Sequence, residues 1–333
     1  MTALAPETVG DETMIVADPP DRLWRRAAGN GRIVMGGAVL ALVFLCCLAT
    51  LPWTTRQSSR LYYDQQHADA SLLPPALHPF DRLFGTDQLG HSLLARCLMG
   101  GVISLSIGLA AAAISVALGV TVGLIAGYRG GWVDSMLMRS VDVLYGLPYI
   151  LLVILFKIAL QDPLAALVSH LQWGTSHWVS PTMAGNLIVL FLAIGLVSWL
   201  TMARVVRGQV LSLRAQPFIE ACKATGLKEW RIFTRHLLPN LVGPVIVYAT
   251  LTVPSAILQE SFLSFLGIGI QPPLPTWGSL ASDGLNPGLN PVHSRWWLLV
   301  IPCAFLAITL LSLNFVGDGL RDVFDPKREA AKI

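Results

Sequence analysis

The chain has 333 residues, 54% of them hydrophobic and only 13% charged, and its mean hydropathy is +0.61. A soluble domain carries about 25% charged residues, so this composition excludes an ordinary water-soluble enzyme and predicts a polytopic membrane protein. The formal net charge of +3 excludes little, because the side of the membrane on which charges lie matters more than their sum.

Residues 1–32 are polar and mixed in charge, with Arg22, Arg25, Arg26 and Arg32 forming a basic membrane-proximal tail. The first apolar run begins late and continues for a full membrane thickness, so it reads as a span and not as a signal peptide. Phe44 and Leu45 are too bulky to precede a lipoprotein cysteine at Cys46. Six predominantly apolar runs are long enough to cross about 30 Å of hydrocarbon. They are Ile33–Leu51, Gly100–Tyr128, about Ser140–Leu160, Met183–Ala203, Leu241–Phe265 and Trp296–Val316.

Between the first two spans lies a turn-rich segment, 53–99, with Gly85-Thr86-Asp87 and Gly90, then a short amphipathic helix expected over Ser92–Leu98. His91 reads here as a solvated loop histidine. In the second span Gly119, Gly123 and Gly127 recur every four residues, a spacing that lets another helix approach closely, either a core helix or a partner chain. These glycines lie inside a continuous apolar helix and cannot cradle a nucleotide. The third span carries Asp142 near one end and Lys157 near the other, where both can snorkel.

The segment 204–240 is the longest hydrophilic interruption and is dense in positive charge. Pro217 suits a first helical position, Phe218, Ile219, Cys222 and Thr225 recur at helical spacing, and Gly226 suits a left-handed stop. A helix of two or three turns is marginal alone and needs something to dock against. Leu227, Trp230, Phe233 and Leu237 mark a second apolar stripe, with Lys228, Arg231 and Arg235 off it and Pro239 as a stop. From the residues alone the segment reads first as a basic loop lying on an anionic membrane surface.

The fifth span is expected to be broken at Pro254 and holds Glu260, an acid well inside an apolar run. Such a group either marks a translocation path or makes a structural hydrogen bond. The connection 267–295, rich in glycine and proline, fits a re-entrant or external segment, and Trp296-Trp297 are interfacial anchors. Of the 23 Lys and Arg residues, 17 fall on the side of the two termini and the 204–240 loop, against six on the other. The positive-inside rule therefore puts both termini and that loop in the cytoplasm.

No GxxxxGK[ST], HExxH or GxSxG occurs, and Cys46, Cys47, Cys97, Cys222 and Cys303 show no metal-ligand spacing. Neither a catalytic residue nor a cofactor or metal site is legible in the chain.

Glu220-Ala221, then Gly226, then Leu238-Pro239 resembles the EAA loop of ABC importer permeases, with Cys222 where the family usually has a second alanine. GTDQLGHSLLAR resembles the GTDxxGRD segment of the peptide/nickel importer permeases, with His91 in place of the usual arginine. Gly127 to Asp134, Arg139, ESFLSFLGIGIQPP and the tail Gly317 to Asp322 followed by Asp325-Pro326-Lys327 are similar to the same family. The resemblance spans about residues 81–328 and within the family looks most like the OppC-type subunit of oligopeptide importers. The segment 162–182, with Trp173, His177 and Trp178, is longer than typical for its connection.

The resemblance implies an all-α protein with the type I ABC importer permease fold, in which 1–32 and 317–333 are cytoplasmic tails, 33–52 the first span, 53–99 extracytoplasmic and 100–316 the permease core. It implies multi-pass residence in a bacterial inner membrane and no nucleic acid partner. Partners would be a second homologous, OppB-like permease, two ABC ATPase subunits that hold ATP and Mg, an extracytoplasmic substrate-binding protein, and a peptide. Dipeptides or nickel are alternative substrates. Glu220, Ala221, Cys222, Gly226, Leu238 and Pro239 would couple to the ATPase, and Glu260 would belong to the fold or to the path. The competing class is an ion-coupled secondary transporter using Glu260, Asp142 and Lys157.

Overall fold

The computed structural model describes residues 20–170 and 181–324, and the regular elements among them are helices. Trp173, His177, Trp178 and the string Asp325-Pro326-Lys327 lie outside the described residues. The order is α1 (Pro20–Gly29), α2 (Gly31–Thr54), α3 (Leu93–Arg129), α4 (Gly131–Tyr145), α5 (Tyr149–His170) and α6 (Pro181–Arg214). It continues with α7 (Pro217–Ala224), α8 (Glu229–Ile232), α9 (Leu238–Phe265), α10 (Trp277–Gly288) and α11 (Trp297–Phe324). Six of these helical runs, those of α2, α3, α5, α6, α9 with its Glu229 extension, and α11, are long and apolar enough to cross a membrane. Their outer surface is a belt of exposed aliphatics such as Leu42, Leu45, Leu151, Ile158 and Leu311. A surface of that kind is stable in hydrocarbon and aggregates in water.

The centre of the bundle is α3 against α6, and the glycine stripe makes that contact. A Cβ on Gly119 would stand 2.5 Å from Cβ of Met202, on Gly123 2.6 Å from the Ala203 carbonyl oxygen, and on Gly127 2.8 Å from Cβ of Val210. Any larger residue would push the two backbones apart, which is why small residues mark close helix crossings in membranes. Of the two packing partners open from the sequence, the chain's own α6 fills the stripe. α3 itself is one helix of 37 residues, so the expected separate helix at Ser92–Leu98 is its first turns. Ser92 caps it by accepting from the Ala95 N–H at 3.3 Å.

Two expected spans differ in outline. The third does not begin at Ser140, because the chain breaks at Gly146-Leu147-Pro148 between α4 and α5, and proline disfavours a helical residue before it. Asp142 therefore sits on α4, outside the membrane-length helix, where it pairs with Arg204 of α6 at 2.7 Å. About two turns earlier on α4, Asp134 receives a fork from Arg207, Nε at 2.5 Å and Nη2 at 2.6 Å. This planar two-point contact fixes α4 on α6 more firmly than the exposed Asp142 pair can. The fifth span is not broken at Pro254. α9 runs through it, with Val253 and Ile257 buried against Leu105 and Ala112 of α3 and Leu313 of α11, and packing on several sides holds the helix despite the lost hydrogen bond.

The connection 267–295 folds back as α10, an amphipathic helix seated on α3, α9 and α11. Thr276 caps it through a reciprocal box with Ser279, and Trp277 is fully buried, its indole N–H donating to the Cys97 carbonyl at 3.0 Å. Glu260 lies beneath this cap with no exposed surface, accepting from Ser264 Oγ at 2.6 Å. The hydroxyls of Thr276, Ser104 and Ser261 surround it.

In the segment between α2 and α3 the sequence expectation for His91 is overturned: the side chain is buried. Nδ1 lies 2.7 Å from Asp87 Oδ2 and Nε2 3.6 Å from Asp64 Oδ1, while Arg96 Nη1 donates to the same Asp87 oxygen at 2.6 Å. Burial alone would raise the Asp87 carboxyl. The hydrogen bond from His91 and the positive charge of Arg96 outweigh it and bring the value from an ordinary 3.8 down to about 2. A depressed carboxylate pKa contributes stability above the unfolded value that is lost as pH falls through the folded one. The protection of amides in residues 60–92 against hydrogen exchange, relative to the intrinsic rate at each pH, is expected to fall between pH 4 and pH 2. In Asp87→Asn it should already be low at pH 7, for a loss of about 2 kcal/mol.

The start of α2 meets the end of α11. Arg32 Nη1 lies 3.3 Å from Asp322 Oδ2, and Asn30 Nδ2 donates to the Gly319 carbonyl at 3.4 Å. Phe324 packs on Gly243 near the start of α9, which brings the 217–240 segment to the same face.

Candidate functional site

On that face α7 is two turns long and begins on Pro217, whose missing N–H costs nothing at the first turn. Glu220 lies in the first turn and Lys223 in the last, each at the end of the helix dipole that favours its charge. The helix ends in a complete Schellman motif. The Gly226 N–H donates to the Lys223 carbonyl at 3.0 Å and the Leu227 N–H to the Cys222 carbonyl at 3.2 Å. Gly226 stands at φ +72°, a left-handed conformation that a side chain makes costly.

What holds so short a helix is one anchor. Ile219 has no exposed surface and enters a core with Tyr128 of α3, Met202, Val206 and Val210 of α6, and Ile232, Leu237 and Leu241 beyond the turn. Cys222 and Leu227, the pair expected to touch across a Schellman cap, pack on the same core from its edge. Phe218 and Thr225, expected with them on the docked stripe, are exposed instead. Glu220, Ala221 and Gly226 also lie on the open side. The helix is thus fixed from above and bare below.

After α8, a single turn, residues Phe233–Leu237 form a π turn that runs into α9 without interruption. Pro239 is therefore not a stop. It occupies the first turn of α9, where the wider π spacing before it relieves the clash a proline ring makes with the carbonyl four residues back. The π turn also resets the helical register, so Ile232 turns inward in place of Trp230, which is 75% exposed. Leu238 and Pro239 are both exposed beside it. Arg129, Arg214 and Lys223, with Glu229 the one acid, line a cavity of about 650 Å³ between α7 and the α3–α4 turn.

The three charged groups that could have formed an ion-coupling site are dispersed. Asp142 pairs with Arg204, Lys157 donates to the carbonyls of Ile268 and Gly269, and Glu260 is sealed under α10. No group of three or more His, Cys, Asp or Glu able to hold a metal occurs among the described residues. Sequence reading had no access to the Arg207–Asp134 and Arg204–Asp142 braces, whose members lie 73 and 62 residues apart.

The family of binding-protein-dependent transport system inner membrane components matches residues 119–330. The dipeptide transport system permease protein DppC of Bacillus subtilis is 41% identical over 305 residues, covering 91% of this chain and 84% of that protein. The oligopeptide transport system permease protein OppC of Escherichia coli K12 is 43% identical over 291 residues, 87% of each. The MetNI methionine ABC transporter, solved in inward facing conformations, aligns with a TM-score of 0.49 at 17% identity over 69% of this chain and 97% of that chain. A short helix anchored at one residue, a six-span bundle and a family match over most of its length converge: the chain belongs to the binding-protein-dependent transport system inner membrane components, the permease subunits of ABC transporters.

Proposed function

We propose that the chain, with a second homologous permease, forms the path by which an ATP-driven importer takes up peptides. Relatives bearing dipeptide and oligopeptide transport names support the substrate class. The single observation that carries the mechanism is α7, docked by Ile219 and open along Glu220, Ala221 and Gly226. On this reading the open face fits a groove on an ABC ATPase subunit, so ATP and Mg act on the partners and none of the hydrolytic chemistry lies here. Leu238, Pro239 and Cys222 set the angle and the seat of the helix.

When the ATPase subunits close, a helix gripped at Ile219 moves with the ends of α3, α6 and α9, which share its core. A push at α7 thereby reaches three spans together and tips a bistable interface between the two permeases. The basic loop, both tails and α7 face the cytoplasm, and residues 53–99 meet the binding protein outside. Gly119, Gly123 and Gly127 keep α3 and α6 as one rigid unit, and Glu260 fastens α10 to α9.

The test is ATP hydrolysis by the assembled complex in proteoliposomes. Peptide-loaded binding protein is expected to stimulate hydrolysis together with peptide uptake. Uptake that follows an ion gradient, with no ATPase associated, would overturn the reading.

A further inference from the structure

The outward flank of α9 carries polar side chains through the middle of an apolar span. Tyr248, Thr252, Ser255 and Gln259 are spaced four, three and four residues apart, which keeps them on a stripe about 60° wide. Tyr248 and Ser255 are exposed, Thr252 and Gln259 half-exposed, while Val253, Ile257 and Glu260 on the other flank are buried. The hydroxyls of Thr252 and Ser255 donate back to the carbonyls of Tyr248 and Leu251, at 2.8 and 3.0 Å, and so could tolerate lipid. Gln259 could not. Its Oε1 accepts from Tyr149 of α5, which leaves the two amide N–H donors without a partner among the described residues. In hydrocarbon each such donor costs several kcal/mol.

Beside Gln259, between α5 and α9, opens a hollow of about 570 Å³. Ile150, Val153, Leu258 and Phe262 line it with apolar surface, and Tyr149, Gln259 and Ser261 supply its polar groups. That combination, apolar walls with a few placed polar groups, is the usual make-up of a ligand pocket of this size. The lipid-facing alternative is visible on the same α5, where Leu151, Leu155 and Ile158 are exposed by 60 to 66% with no polar residue among them.

We propose that this flank of α9 lines the translocation path, that the hollow receives an apolar side chain of the passing peptide, and that Gln259 donates to a peptide carbonyl beside it. A free amide donor next to an apolar recess matches what each peptide residue presents, a carbonyl next to a side chain. The inference rests on the importer reading above.

Its test uses the assembled complex in proteoliposomes, with single cysteines at Thr252→Cys, Ser255→Cys and, as the lipid reference, Leu155→Cys, in a chain whose five natural cysteines are replaced. A charged, membrane-impermeant thiol reagent is expected to modify the first two at least tenfold faster than the third. A transported peptide with bulky apolar side chains should slow that modification more than one built of glycine. Labelling is scored on complexes recovered intact, so a variant that assembles but transports poorly is still read. Rates equal to those of Leu155→Cys overturn the proposal, as does modification in the isolated chain that vanishes on assembly and ignores peptide, the mark of a static contact between permeases. Gln259→Leu, which keeps the bulk and drops the donors, is expected to lower uptake about tenfold at equal complex yield, and unchanged uptake removes the amide from the site. Uptake by the parent complex, measured in the same vesicles, separates the two readings. Uptake without labelling sinks only the path assignment, whereas a parent complex that imports no peptide sinks the importer reading and this one with it.

Discussion

Gly123→Leu is expected to abolish accumulation of the folded permease. Its Cβ alone would stand 2.6 Å from the Ala203 carbonyl oxygen, 2.8 Å from Cβ of Val206 and 3.0 Å from the Arg207 amide nitrogen. Two of these three are backbone atoms of α6, so relief requires the helices to separate. Overpacking a core with extra methylenes costs about 1–3 kcal/mol where side chains can shift. Here the cost runs higher, because separating α3 from α6 also carries Arg207 away from Asp134 and opens the core that holds Ile219. The control is Gly37→Leu in α2, where a Cβ would meet nothing within 4 Å. Yield of membrane-inserted protein and the unfolding midpoint in detergent are the measurements. Equal values for the two variants would show that α3 and α6 do not pack in this way.

Gly226→Asp is expected to remove peptide uptake while leaving the spans inserted. A Cβ at this position meets nothing within 4 Å, so the effect is not a clash inside the chain. At φ +72° a Cβ costs up to about 1–2 kcal/mol, with aspartate at the lower end, and a carboxylate at the C-terminal end of α7 opposes the helix dipole. That strain acts on two turns held by one buried isoleucine, so the α7 ending loosens while the six-span core stands. The measurements are uptake, ATPase co-purification and protease resistance of the spans. Normal uptake would detach α7 from coupling, and loss of the inserted core would mean that Gly226 serves folding.

These two positions also show how far the sequence reached. Gly226 was legible because a left-handed helix stop is a property of a few consecutive residues. The stripe of Gly119, Gly123 and Gly127 was legible as a contact face, but its partner was not, since nothing local distinguishes this chain's α6 from another subunit. Trp230 was misread for a related reason. A stripe extrapolated at 3.6 residues per turn fails once a π turn inserts extra backbone, and Phe233–Leu237 does that. His91 was misread because a short hydrophilic stretch looks solvated until the loop folds and closes Asp64, Asp87 and Arg96 around it.

The sequence by itself determined the membrane class, the number of spans, the short helix with its glycine stop, and the family motif. Each follows from composition, local periodicity or chain stereochemistry, which act over a turn or a membrane thickness. Only the tertiary structure decided which polar groups are buried and with whom: Asp134 with Arg207, Glu260 beneath the Thr276 cap, Tyr149 with Gln259, and Ile219 as the one anchor of α7. Those pairings join residues far apart in the chain, and their strength comes from exclusion of water, a condition set by the packed bundle and by no single segment of it.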